Sequence, residues 1–568
     1  MGRQGLWKCP KCEKHQIWKV RSVSTSKLDR SCISCGERVR ATLDRSPSGK
    51  GRRGSVDIWE RSMKLDDYAL MKEVLARDES NSGTIIGKNG EIRDEGQSGL
   101  VPIFANQWRP EEGLSFPSKI ASEKVRTELL RFVSERNEGY LDTVAMCWES
   151  SSPPELFDGD SYHSFSLRFE EKMADILSQR LLEPNLIGIQ EIEIIPRRNG
   201  SSHISRRITR LIVDLRICLR RIAHYHSVTL DQRIMWQRWM TRTRIVDEHL
   251  KDLFTNGLET PDGGKFTGKG FRSTWQEGVV ACASAMSRAI DLPESEIDSA
   301  DVIAPMIRDT GLAMAMGQTP TEVFAAQMGK ADSYMDGGNP GSGGRDLHIG
   351  NWGKRVLPPT APLPTASATT TGIALAAQRL SKSRFHLAPV GEGCSSSGEF
   401  WEAMNLAGTR GLPICYMIQN NQIALDTFVL GQSGAETFGD KGISMGIPSW
   451  SIDGSDPAQF YASTSVAREI ALSGGGSTLI HVETMRGCGH AHHHDDLYLG
   501  SVSGNPPGYV DKELLSYWAD KDPLPNHREL LIRMGCSEKV ISLIEEEERE
   551  MVKSCRDDME SMPWPEGH

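Results

Sequence analysis

No stretch of this chain approaches the roughly 18–20 consecutive apolar residues that a membrane-spanning helix needs, so no helical anchor is expected. The first residues, MGRQGLWKCPKC, lack the apolar core of a secretory signal, and a cytoplasmic chain is expected. Twelve cysteines are present, but eight of them are scattered singly in the manner of reduced cytosolic thiols, so no disulfide framework is expected. No family-bearing pattern or repeat marks residues 118–228, and residues 56–115 carry no recognisable chemistry beyond a short helical stretch near Trp59–Ala76. What remains is 568 residues of ordinary soluble composition, 38% hydrophobic and 25% charged, enough for two to four domains with sizeable cores.

The net charge of −10 hides an asymmetry. Residues 1–54 hold fourteen Lys and Arg against four Asp and Glu, so the head is strongly basic and the remainder more acidic than the total suggests. The head also holds the four clustered cysteines: Cys9 and Cys12, then, after nineteen residues, Cys32 and Cys35 followed by Gly36. Two such knuckles supply four soft thiolates to one tetrahedral zinc with no open position, which predicts a structural zinc ribbon over 1–45. Trp7, Trp18 and the surrounding bases suit either nucleic acid or an acidic protein surface, and both partners stay open. Ser46–Ser55, rich in Gly, Ser and bases, reads as a linker, and 46–117 as linker and irregular sequence.

Helical periodicity dominates 118–228. Ile204, Ile208, Leu211, Leu215, Leu219 and Ile222 recur at three- and four-residue steps opposite Arg206, Arg207, Arg210, Arg220 and Arg221, which predicts a core-facing helix with a solvated basic side, or a partner-binding helix. From Thr229 onward the pattern changes. Arg384–Val390, Leu412–Gln419 and Ser477–Thr484 read as buried strands separated by helical or glycine-rich sequence, which predicts an α/β body with a parallel sheet and helices on both faces. Near the carboxyl end, EKVISLIEEEEREMVKSCRDDME predicts an amphipathic helix.

Between Val390 and Asn421 lies a complete strand–turn–helix–strand unit. Gly391-Glu392-Gly393 forms the turn, a helix from about Gly398 to Thr409 follows, and a second strand ends at Gln419. Parallel strands joined by a crossover finish at one sheet edge, so Glu392 and Asn421 are expected side by side. Gly391 and Gly393 allow close approach of an anion to backbone amides, and a carboxylate with an amide oxygen suits magnesium.

This unit resembles the cofactor motif of thiamine diphosphate enzymes, which runs from G-D/E-G over about thirty residues to N-N. From Thr229 to Pro563 the chain resembles the α subunit of the decarboxylating component of 2-oxoacid dehydrogenase complexes, of branched-chain or pyruvate type, and this implies a thiamine diphosphate-binding domain over 229–568. The resemblance implies that Arg308 in MIRDTG grips the diphosphate, and that Pro362 and Leu363 meet the aminopyrimidine ring through their backbone. It implies that Glu392 and Asn421 ligate magnesium with the Ile423 carbonyl, and that Gly391, Gly393 and Cys394 line the diphosphate. GGRDLHIG places His348 at the end of a glycine-rich segment. VETMRGCGHAHHHDD resembles the family's phosphorylation loop, with His490 as the active-site histidine and cofactor contact; one extra residue lets His492 compete for that role, and Ala491 replaces the modified serine. The bare residues also allow a solvated or adventitious metal-binding loop of His481, His490, His492, His493 and His494.

The resemblance further implies oxidative decarboxylation of a 2-oxoacid, with acyl transfer to the lipoyl group of an acyltransferase, by two α and two β chains. Three departures stand out. Gln419 replaces an arginine of the branched-chain type, Arg272–Trp275 differs from the substrate-pocket sequence, and Ala361 and Ala366 remove polar groups near a potassium site. An acetoin dehydrogenase-type α subunit stays open as an alternative. So does a non-catalytic regulatory or nucleic-acid-binding protein that uses the zinc head.

Overall fold

The computed structural model describes residues 3–8, 15–20, 27–31, 38–43, 84–86, 92–94, 101–181, 193–196, 198–268, 270–333, 347–501, 503–504 and 507–565. They belong to two compact units, Met1–Asn81 and Ser82–His568.

In the first unit, β1 (Arg3–Lys8), β2 (His15–Val20), β3 (Lys27–Ser31) and β4 (Arg38–Leu43) form an antiparallel sheet in the order β2-β1-β4-β3. Lys8 pairs with His15 across one hairpin and Ser31 with Arg38 across the other. Because β1 runs antiparallel to β4, the chain leaves β1 at Lys8 towards the Arg38 end of β4, the end at which Ser31 closes β3. Cys9, Cys12, Cys32 and Cys35 lie outside the described residues, as does the expected helix near Trp59–Ala76.

The second unit opens with α1 (Ser122–Arg136), α2 (Leu141–Ser150), α3 (Gly159–Leu181), α4 (Gly200–Ser227) and α5 (Leu230–Asn256). A capping box starts α5: Gln232 N donates to Thr229 Oγ1 at 3.2 Å, and Thr229 N donates to Gln232 Oε1 at 2.9 Å. The stripe of α4 is buried from Ile208 to Ile222 as its spacing predicts, and its basic side is solvated only in part: Arg207 is exposed, whereas Arg206, Arg210, Arg220 and Arg221 are half-buried. Arg216 is buried against Glu170, and Arg220 donates to Glu469 at 2.8 Å. The helix is sandwiched, so burial draws each of these arginines to a carboxylate rather than to water. Residues 118–228 have no core of their own; their apolar side chains join the cluster that packs under the sheet.

That sheet contains β5 (Val302–Ile303), β6 (His386–Gly391), β7 (Ile414–Asn420), β8 (Ser449–Asp453) and β9 (Thr478–Glu483). All neighbours are parallel, in the order β5-β6-β7-β9-β8. α6 (Thr365–Arg379) precedes β6, α7 (Gly398–Arg410) joins β6 to β7, and α8 (Pro457–Leu472) joins β8 to β9. Alternate side chains divide the sheet's faces. Leu387, Cys415, Met417, Ile480 and Val482 pack into the core that holds α8 residues, whereas Ala388, Val390, Tyr416 and Ile418 pack with Phe400, Met404 and Ala407 of α7. Both faces are covered, which is why these strands read as continuous apolar runs. The C-terminal helix α9 (Glu538–Ser561) fixes its buried Glu548 to Arg242 Nε at 2.7 Å, docking on α5. Among the described residues, no helix is long and apolar enough to cross a membrane.

Candidate functional site

One edge of the parallel sheet gathers the chain as it leaves four strands: Arg308 beyond β5, Glu392 beyond β6, Asn421 beyond β7, and Arg486 and His490 beyond β9. This is the edge at which open α/β sheets bind ligands.

Glu392 and Asn421 meet as expected. The backbone N of Asn421 donates to Glu392 Oε2 at 3.3 Å, closing a 29-residue separation. Both are buried, at 2% and 5% exposure. Burial raises the Glu392 carboxyl above its ordinary range, so the site holds a desolvated acid without enough positive charge beside it. Asn421 donates from Nδ2 to Gln276 Oε1 at 3.3 Å, and its Oδ1 is buried with no partner. A buried carbonyl oxygen without a donor is costly, and a hard cation shared with Glu392 would satisfy both groups.

A chain of amides fixes that orientation. Gln276 Nε2 donates to Gln419 Oε1 at 3.3 Å, and Gln419 Nε2 donates to Asp309 Oδ1 at 2.9 Å. Gln276, Gln419 and Asp309 are all buried, and burial pushes the Asp309 carboxyl up to about 6. Gln419, which replaces an arginine in the branched-chain pattern, is therefore committed to positioning Asn421 from behind.

The glycine turn is close-packed on the segment after β7: a Cβ on Gly393 would stand 2.5 Å from the Ala424 Cβ. Ile423 and Glu392 are thereby held in one cluster. Gly391 does not share this constraint, its nearest contact being an ordinary 3.5 Å to Met306 Sδ. Ser395 N turns back to the Glu392 carbonyl at 3.1 Å, and Lys441 Nζ braces the turn by donating to Ser395 Oγ at 2.7 Å. Burial pushes the Cys394 thiol up to about 12, so it is no nucleophile.

Two buried guanidinium groups flank His490. Arg308 Nη2 lies 3.2 Å from His490 Nδ1 and donates to the His490 carbonyl at 2.5 Å; Arg486 Nη1 lies 3.2 Å from the same Nδ1. Arg486 also donates to the carbonyls of Ile423 and Leu425, at 3.3 Å each, and its guanidinium lies 4.7 Å from the Tyr498 ring. Burial, then Arg486, lowers Arg308 to about 10. Burial, then Arg308 and Arg486, lowers His490 to about 3, so its ring is neutral at physiological pH. Paired buried cations beside a buried acid form a place for an anion and a metal together.

His490 stands in this cluster; the side chain of His492 lies outside the described residues. His494 Nδ1 accepts from Ala491 N at 3.2 Å, and Asp495 anchors the loop by accepting from Gly489 N at 2.8 Å and pairing with Arg272. Among the described residues, no group of three or more His, Cys, Asp and Glu side chains could hold a metal ion. Pro362 and Leu363 are not drawn into the cluster. They are exposed before α6, Leu363 at 59%, with the Pro362 carbonyl accepting from Thr360 Oγ1 at 3.0 Å. His348 is part-buried, and residues 334–346 before it lie outside the described residues.

Sequence reasoning missed Arg486, Gln276 and Asp309. Arg486 lay within the quoted VETMRGCGH segment, where four-residue spacing to His490 and a strand end were the available signals. Gln276 had no local signal, since 145 positions separate it from Asn421.

Comparison with known proteins agrees with this geometry. Residues 273–566 match the family described as "Dehydrogenase E1 component". The chain is 27% identical over 289 residues to the 2-oxoisovalerate dehydrogenase subunit alpha of Bacillus subtilis, covering 50% of this chain and 83% of that protein. It is 36% identical over 185 residues to the pyruvate dehydrogenase E1 component subunit alpha of the same organism, covering 32% of this chain and 47% of that protein. With the 3-methyl-2-oxobutanoate dehydrogenase subunit alpha of Mycobacterium tuberculosis it shares 27% identity over 298 residues, 52% of this chain and 71% of that protein. The chain thus spans less than half of the second relative, and its residues before 273 lie outside the family match. With more than half of its length matched and the cluster of Arg308, Glu392, Asn421 and His490 inside that half, the chain belongs to the dehydrogenase E1 component family.

Proposed function

We propose that this chain is the α subunit of a thiamine diphosphate-dependent 2-oxoacid dehydrogenase component that acts on a branched-chain 2-oxoacid or pyruvate. The observation that carries the reading is the buried, unpartnered Oδ1 of Asn421 beside the buried carboxylate of Glu392. Those two side chains, with the Ile423 carbonyl, would hold Mg2+. Arg308, Arg486 and the amides of Gly393 and Cys394 would take the diphosphate, and the Pro362 and Leu363 backbone would face the aminopyrimidine.

When bound, thiamine diphosphate supplies the electron sink that lets a 2-oxoacid lose carbon dioxide. The chain's own residues bind, orient and exclude water. Glu392 brings the negative charge that attracts the metal, and Gln276 holds the Asn421 amide with its oxygen forward. His490, kept neutral by burial and then by the two arginines, would present an Nε2–H donor, since Nδ1 faces the guanidinium groups.

Acyl transfer to the lipoyl group of an acyltransferase, and assembly of two α with two β chains, complete the reading. An apolar rim supports a β partner: Leu425, Phe428 and Leu430, the last 98% exposed, follow the metal-ligating turn by a few residues. A single structural zinc on Cys9, Cys12, Cys32 and Cys35 would close the basic head, whose two hairpins leave the sheet in the same direction. Calorimetric titration of thiamine diphosphate with and without Mg2+, followed by decarboxylation assays with branched-chain oxoacids and pyruvate after adding a β chain, tests this reading. Metal-independent binding, or no turnover with any oxoacid, rejects it.

A further inference from the structure

A cavity of about 590 Å³ lies between the helices before residue 228 and the carboxyl ends of the last two strands in the sheet order, β9 and β8. Its walls come from α1, α4, the C-terminal ends of β8 and β9, and the helix Lys512–Ala519. This volume is within the range of small-molecule sites, roughly 300–1,000 Å³. None of the cofactor-site residues lines it, so the inference does not rest on the assignment above.

The cavity contains one charge that the protein has not matched. Arg216 and Arg220, on the same helix, each pair with a carboxylate. Arg221 does not: its Nε and Nη1 are buried with no acceptor, and its guanidinium lies 5.4 Å from the Trp450 ring. Burial, with no acid close enough to pair, lowers Arg221 from its ordinary value. An unpaired guanidinium at the cavity wall calls for an anionic partner such as a carboxylate.

The other walls restrict the ligand further. Four acids line the space, Glu128, Glu135, Asp453 and Glu483, against the bases Arg131, Arg221 and Lys521. A multiply charged anion such as a phosphate ester would face that excess of carboxylates. Glu128 is the acid least engaged by the protein, with His226 at 4.0 Å, whereas Glu483 already accepts from Asn420 and Gln422, and Asp453 from Ser455. An ammonium group suits Glu128, and Phe132, Ile222, Ile452 and Trp518 add apolar surface to the same walls.

We propose that this cavity binds a small zwitterion of the amino-acid class, an apolar α-amino acid or dipeptide, with its carboxylate on Arg221 and its ammonium towards Glu128. The site joins the helical segment, which the family match leaves out, to the family's sheet.

Calorimetry on the full chain tests this with L-phenylalanine and L-leucyl-L-leucine as probes, and phenylacetate and 2-phenylethylamine as half-ligands. At least one zwitterion is expected to bind saturably, with each half-ligand at least tenfold weaker. Arg221→Gln should weaken that binding tenfold or more. Ser134→Trp, on the exposed side of α1 at the cavity wall, should do the same by filling the space, and it decides the matter if Arg221→Gln does not fold. Absence of saturable binding by both zwitterions at millimolar concentration overturns the proposal. So does phenylacetate binding as tightly as phenylalanine, or affinity unchanged in Ser134→Trp.

Discussion

Asn421 gives its amide hydrogens to Gln276 Oε1 at 3.3 Å and keeps its own Oδ1 buried without a partner. The acceptor of Gln276 selects which end of the Asn421 amide is left unpaired, and Asp309 and Gln419 select the orientation of Gln276. A side chain that touches no cofactor thus sets the geometry of one that would.

Replacing Gln276 with Leu should therefore weaken Mg2+-dependent cofactor binding by about 10–100-fold, the usual cost of losing a group that orients a metal ligand. Calorimetry reads the affinity, and Gln276→Glu, which keeps the acceptor for Asn421 but loses the donor to Gln419 Oε1, should not restore it fully. Equal affinity in Gln276→Leu and the natural chain would remove the relay's role.

Arg486→Gln should raise the titration midpoint of His490 by at least one pH unit and weaken thiamine diphosphate binding. The His490 ring is held down to about 3, below its unfolded value near 6.5. Its contribution to stability is full above pH 6.5 and is lost as pH falls from there towards 3. Ring resonances followed by NMR between pH 2 and 7 measure the midpoint; an unmoved midpoint contradicts the assigned coupling.

Asp247 carries the opposite sign. Burial, then repulsion from Glu277, pushes its carboxyl up to about 7, and its Oδ1 is buried with no partner while Thr274 Oγ1 donates to Oδ2 at 2.9 Å. Its contribution is present in full below the unfolded value near 3.8 and is lost as pH rises through about 7, so the ionised form is a liability under alkaline conditions. Asp247→Asn should raise stability at pH 8 by on the order of 3 kcal/mol, with the gain closing towards pH 4. Thermal unfolding at both pH values checks the gain and its direction.

Zinc content should be one per chain and should fall to near zero in Cys9→Ser and Cys35→Ser, as measured by elemental analysis. Because the head and the sheet unit are separate compact bodies, these variants should keep their Mg2+-dependent cofactor affinity. Loss of that affinity would tie the head to the site.

The strand–turn–helix–strand unit was legible because local rules converge there: apolar runs for β6 and β7, glycines at the turn, and an amphipathic α7 of the right length. Glu392 and Asn421 followed from crossover geometry alone. β8 was harder to read, since SWSID is short and alternates serine with apolar residues, and β5 contributes only two residues to the sheet. The basic side of α4 read as wholly solvated because sequence shows periodicity but not what lies opposite; Glu469 on α8 takes Arg220, and Glu170 on α3 takes the buried Arg216. The Gln276 relay and the unmatched Arg221 depend on contacts between residues more than a hundred positions apart, which no local pattern encodes.

The most direct test titrates thiamine diphosphate into the chain by calorimetry, with Mg2+ and with a chelator, for the natural sequence and for Glu392→Ala. Saturable uptake that requires Mg2+ and vanishes in Glu392→Ala, with an unchanged circular dichroism spectrum, is the predicted result. Uptake of equal affinity in the variant, or in the presence of the chelator, would contradict the claim that Glu392 and Asn421 hold the metal.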